Sequence, residues 1–104
     1  MAAYNIVRMR VKPGREAEFL EFHKRMDKTI GDQMKKNGWR RGVIVKTGDR
    51  SYCFVAEWDS MDSVAKSRPL MIGQLDQMRE LLEDLGNGLG VTDPVSGETV
   101  VEMV

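Results

Sequence analysis

Two β-α-β patterns follow one another within 104 residues, and that order constrains the fold more than any single motif does. The first runs from Tyr4 to Thr47 and the second from Ser51 to the C-terminus. Two split β-α-β units joined by a tight turn predict a ferredoxin-like α+β fold in βαββαβ order. Its four strands form one antiparallel sheet, and both helices pack on the same face. The other face carries no helix and needs another cover. The length points to one domain over residues 1–104. A chain of this size buries roughly 65% of its unfolded surface, enough for one modest core. A homodimer closed through the helix-free face is therefore expected.

Residues 4–12 alternate. Asn5, Val7, Met9 and Val11 share one face, and Tyr4, Ile6, Arg8 and Arg10 share the other. A helix is expected from about Arg15 to Lys36, with Phe19, Phe22, His23, Met26, Ile30 and Met34 on one stripe. Asn37-Gly38 stops it. Residues 39–47 and Ser51–Asp59 form a hairpin around Gly48-Asp49. Tyr52, Phe54, Ala56 and Trp58 should face the helices, and Cys53 reads as a small core residue.

The second helical region is expected to be broken. Asp59 or Ser60 caps a short turn through Ala65, and Ser67 caps a new helix entered at Pro69. Met71, Leu75, Met78, Leu82 and Leu85 form its stripe, and Gly86 ends it. Residues 86–97 read as a loop and Thr99–Val104 as the last strand, beside strand one. Arg8 and Arg10 are then expected to pair with Glu57 and Glu102 across the strands, at ~0.2–1 kcal/mol per pair.

Composition narrows the function. Sixteen basic residues balance sixteen acidic ones, which argues against electrostatic binding to nucleic acid or to a membrane surface. A lone cysteine allows no intrachain disulfide. No apolar run reaches membrane-spanning length, and MAAYNIVRMR enters a strand pattern without a signal-peptide core. A cytoplasmic protein is expected. One His and one Cys leave no metal-ligand cluster, so no metal is expected. Gly86-Asn87-Gly88-Leu89-Gly90 follows a helix rather than a strand, so it reads as a cap and crossover and not as a phosphate loop.

His23 is the candidate with the most chemistry. Its imidazole titrates near neutral pH and can accept a proton. Two readings stand: a boundary residue with one satisfied hydrogen bond, or a pocket base. Tyr52, Phe54, Trp58, Trp39 and Asn5 either fill the core or line a cavity between sheet and helices. Arg68, at the expected helix break, is placed to meet an anionic ligand.

The segments YNIVRMRVKPGREAEFLEFHKRM, YCFVAEWDSMDSV and LGVTDPVSGETVV resemble the antibiotic biosynthesis monooxygenase-like group, and the resemblance spans nearly the whole chain. It implies a dimeric α+β barrel whose four-stranded sheets pack face to face. It also implies oxidation of a small quinol- or anthrone-like aromatic by O2 without a cofactor, with the protein supplying a dry pocket, a proton acceptor and oxyanion stabilisation. If the chain is an enzyme of this kind, the residues themselves suggest His23 as the catalytic proton acceptor, Asn5 and Arg68 as orienting the substrate, and Trp58, Tyr52 and Phe54 as substrate-binding walls. Haem-degrading relatives carry an Asn on strand one and a Trp and a His on helix two. Asn5 fits the first position, while Ser67 and Gln77 stand near the others, so haem degradation is not implied. The alternative is a non-catalytic dimeric ligand-binding or stress-related protein on the same scaffold.

Overall fold

Alternation in the first strand decides where the core lies. The computed structural model, which describes residues 2–103, places Ala3–Arg10 as β1, with Ala3, Asn5 and Met9 buried and Tyr4, Ile6 and Arg8 exposed. Then come α1 (Glu16–Thr29), α2 (Gly31–Lys36), β2 (Trp39–Gly48), β3 (Ser51–Trp58), α3 (Met61–Met78), a 3-10 turn at Arg79–Leu81 and β4 (Asp93–Glu98). The sheet is antiparallel in the order β2-β3-β1-β4. The fold is α+β and ferredoxin-like, as the pattern predicts. Tyr52, Ala56 and Trp58 of β3 are buried and Phe54 half-buried, all on the helix side. Two apolar clusters fill the layer between sheet and helices. One centres on Phe19, Met9, Val11 and Tyr52, the other on Trp58, Met34, Ala56 and Val64.

Several boundaries differ from expectation. The helix expected over 15–36 is interrupted at Ile30, where φ and ψ of −120° and −3° leave the helical values. Gly31 follows, and a Cβ there would stand 2.8 Å from an Asp27 carboxylate oxygen. Conversely, α3 runs unbroken through Pro69. Proline removes the hydrogen bond to the carbonyl four residues back. That carbonyl belongs to Ala65, and both residues are exposed, so water can satisfy it. Ser67 is thus no cap; it is buried, and its hydroxyl accepts from Asn37 Nδ2 at 3.0 Å. Ser60 does cap α3, accepting from the Ser63 amide at 3.2 Å.

The stripe of α3 ends before Leu82 and Leu85. Leu82 adopts extended backbone and bridges Val11, while the Glu83 amide donates to the Arg10 carbonyl at 2.7 Å. Leu82 stays in the core although it has left the helix, since burial here does not require helical backbone. The hairpin turn is one residue later than expected: Gly48 pairs with Ser51, and Arg50 takes a positive φ of 56°.

The last strand is Asp93–Glu98, all but Glu98 within the segment read as loop, and Thr99–Met103 follows it outside any strand; Val104 lies outside the described residues. Pro94 is tolerated because β4 is an edge strand. The shift changes the ion pairs. Arg8 meets Asp93 at 3.2 Å, Arg10 meets Glu83 at 3.6 Å, and Glu57 pairs with Arg40 at 3.3 Å. Glu102 lies outside the sheet. Both arginines have acidic neighbours, but not the expected ones. Cys53 lies half-buried on the helix-free face rather than in the core.

Candidate functional site

Two cavities open between the sheet and the helices, and His23, Met26 and Phe54 line both. These three side chains form the partition between them. The smaller, about 250 Å³, lies under α3, with Asn5, Val7 and Met9 of β1 as floor and Arg68, Met71, Gln74 and Leu75 of α3 as roof. Thr92 and Pro94 close its β4 side. The larger, about 580 Å³, lies between α1, α2 and the edge strand β2.

His23 reaches the partition because it sits one turn after Phe19, the fully buried anchor of α1. Its Nδ1 lies 2.9 Å from the Phe19 carbonyl oxygen. A carbonyl only accepts, so in the neutral ring the proton is on Nδ1 and Nε2 keeps the basic lone pair. The ring is packed by Phe19 at 4.5 Å between centroids, Phe22 at 5.7 Å and Phe54 at 6.3 Å. Burial among these rings lowers the His23 pKa below 6.5, against a smaller upward pull from the Phe19 carbonyl. His23 is therefore neutral at pH 7, as a proton acceptor must be.

Asn5 is buried on the cavity floor. Its Nδ2 donates to the Ser96 hydroxyl across the β1–β4 ladder at 2.9 Å, and its Oδ1 is buried without a protein partner. One ordered bond thus holds the amide, and one polar atom stays unmatched. Arg68 stands exposed at the cavity mouth.

The structure thus brings His23, Asn5, Phe54 and Arg68 together around the smaller cavity, four of the six residues given catalytic or substrate-binding roles from the sequence, while Trp39 lines the larger one. Trp58 and Tyr52 are elsewhere. Trp58 is wholly buried in the second core cluster, and Tyr52 in the first, and neither lines either of these two cavities. The Tyr52 hydroxyl is committed to the Glu16 carboxylate, which raises the phenol pKa and lowers that of Glu16. They pack rather than line because both stand directly beneath the helices. Gln74 and Thr92 were not anticipated as lining residues. Gln74 lies six residues beyond Arg68 on one helix, and a polar residue bordering the Met71–Leu75 stripe was its only signal. Among the described residues no group of three or more His, Cys, Asp or Glu is placed to hold a metal ion.

Neither a protein-family model nor a curated protein matches this chain. Solved structures do. A cofactor-independent oxygenase from Streptomyces nogalater, SnoaB, superposes with a TM-score of 0.73 at 18% identity, covering 98% of this chain and 96% of that one. A Bordetella bronchiseptica protein, provisionally described as an antibiotic biosynthesis monooxygenase, gives 0.73 at 15% identity, over 96% and 98%. A dimeric ferredoxin-like protein from an uncultured marine organism gives 0.69 at 19% identity, over 99% and 91%. The likeness is one of fold. It agrees with the resemblance read from the sequence, and at these identities it carries no activity with it.

Proposed function

We propose that this protein is a cofactor-independent oxygenase for a small quinol- or anthrone-like aromatic, bound in the cavity beneath α3. The observation that supports this most is the state of His23: a neutral imidazole with Nδ1–H held by the Phe19 carbonyl, on the wall of an apolar cavity. Nε2 takes the phenolic proton of the substrate. The resulting anion gives one electron to O2, and the radical pair closes a carbon–oxygen bond. Loss of water from that peroxide leaves the quinone, so one CH2 and one O2 become one C=O and one H2O. The dry walls of Val7, Met9, Met71 and Leu75 raise the energy of a solvated anion and speed its oxidation. Arg68 offsets the developing negative charge at the mouth.

We further propose a homodimer through the helix-free face. Tyr4, Ile6, Val43 and Val45 are exposed there and form an apolar patch of the kind that marks an interface. The dimeric ferredoxin-like neighbour supports this reading.

Oxygen uptake over a panel of quinols and anthrones tests the activity. Turnover should fall about 100-fold or more in His23→Ala, the usual worth of a general base. Arg68→Gln should raise KM. Absence of uptake across the panel, or full activity in His23→Ala, refutes the assignment. The second reading, a non-catalytic binding protein, is favoured by the Asn5 amide, whose Nδ2 is already spent on Ser96. It predicts saturable ligand binding without oxygen consumption.

A further inference from the structure

The roof of the smaller cavity carries a polar residue that packing does not explain. Met71, Gln74 and Met78 follow one another at helical spacing on the side of α3 that covers this cavity, and Gln74 interrupts their apolar stripe. On the reading that the cavity takes a small aromatic, we propose that Gln74 selects that ligand, an arene whose edge carries a hydroxyl beside a second oxygen.

Gln74 is only 9% exposed, yet its carboxamide makes no hydrogen bond among the described residues. Its amide atoms are not sealed in, unlike Asn5 Oδ1 on the floor. A buried amide is the informative exception on an apolar helix face, because it costs stability until something matches it. The other polar residues nearby do not match it. His23 Nδ1 is held by the Phe19 carbonyl, Asn5 Nδ2 is spent on Ser96, and Arg68 stands exposed at the mouth.

A carboxamide holds an N–H donor and an acceptor oxygen side by side. Its complement is a hydroxyl, which donates to Oε1, next to a second oxygen, which accepts from Nε2. Two adjacent oxygens on one arene edge meet both needs, and a single oxygen leaves half of the amide unmatched. The rings then lie against Val7, Met9, Met71 and Leu75. The volume of about 250 Å³ stands just under the usual range of ligand sites, about 300–1,000 Å³, so the ligand is small.

2,3-Dihydroxynaphthalene and 2-naphthol differ only in the second hydroxyl. Both are titrated calorimetrically into the full chain in the absence of oxygen, and side-chain amide signals are followed by nitrogen-15 NMR. The diol is expected to bind about three- to tenfold tighter, the worth of one added hydrogen bond. The Gln74 side-chain amide signals should move with the diol. Gln74→Met keeps an unbranched side chain of similar length and removes the amide. It should bind 2-naphthol undiminished and lose the preference for the diol. The NMR shift in the wild type decides alone should that variant fail to fold. Equal binding of the two probes to the wild type, no binding of the diol, an unmoved Gln74 signal, or a preference that survives Gln74→Met overturns the proposal. No turnover is read, so a failure of oxygen uptake refutes the oxygenase and leaves the role of Gln74 standing, while equal binding of the two probes does the reverse.

Discussion

His23 Nδ1 lies 2.9 Å from the carbonyl oxygen of Phe19, one helical turn before it. The bond sets the tautomer, and burial sets the protonation state. Because the folded pKa is below 6.5, the unfolded chain binds the proton more readily. The stability held by neutral His23 is complete above pH 6.5 and is lost as pH falls toward the folded pKa. Denaturant melts between pH 7.5 and 5.5 should show wild type losing stability, by less than about 1.4 kcal/mol per pH unit. His23→Phe should be flatter over this window. Glu16 and Glu18, both held below 4.5, add their own losses only at lower pH. An identical slope in both proteins would contradict the burial account.

Gly38 joins α2 to β2 with φ of +110°, and its carbonyl accepts the Asp59 amide at 2.8 Å. A Cβ there would stand 2.2 Å from Ser63 Oγ and 2.8 Å from Ser63 Cβ. Gly38→Ala combines backbone strain with a clash against a buried side chain. It should destabilise by about 2 kcal/mol or more. Gly14 has φ of +77° and nothing within 4 Å of a Cβ. Gly14→Ala should cost only about 1 kcal/mol, the strain alone. Equilibrium urea unfolding of both variants separates the two contributions.

Pro69 lies inside α3 without ending it. Pro69→Ala restores an amide donor for the Ala65 carbonyl and removes a residue about 3 kcal/mol worse than Ala in a helix interior. The unfolded chain gains entropy from the same change, which returns about 0.4–1 kcal/mol. A net stabilisation of about 2–2.6 kcal/mol is expected, read as a rise in the urea midpoint. A fall would show that the ring itself packs against something essential.

Arg50 ties the β2–β3 turn to the neighbouring C-terminal end of β1 and to the segment after the 3-10 turn. Its guanidinium donates to the Val11 carbonyl at 3.0 Å and to Glu83. Arg50→Ala should cost about 2 kcal/mol, since hydrogen bonds to charged groups are worth about 1.5–3. Arg50→Lys should recover only part, because both bonds come from Nη1 and the shorter lysine side chain ends before that position. Thermal melts of the three proteins give the ranking.

Strand faces were legible because their period is two and each face keeps one environment. Asn5, Met9, Tyr52 and Trp58 turned inward as the alternation required. Helix continuity was harder to read. Pro69 was a strong local signal overridden by an exposed carbonyl that water can satisfy, and Gly31 was a weak one that coincided with a real break. The last strand was misplaced because Thr99–Val104 has the higher strand propensity. Asp93–Glu98, with a proline and a glycine, pairs with β1 instead, and edge strands tolerate both. The cavity showed a similar split. His23, Asn5 and Arg68 were chosen by chemical type, and their convergence with Phe54 was visible only once α3 lay across β1 and β3.

The order of patterns by itself determined the α+β sandwich, the middle position of β1 and the side of the sheet that its helices cover. These follow from periodicity and short connections, which are local properties. Tertiary structure alone decided that Trp58 and Tyr52 pack while Phe54 lines a cavity, that Arg10 pairs with Glu83, and that two cavities meet at His23. Side chains far apart in the chain compete for the same space. Which of them fills it and which is left at its edge depends on the volumes of all the others.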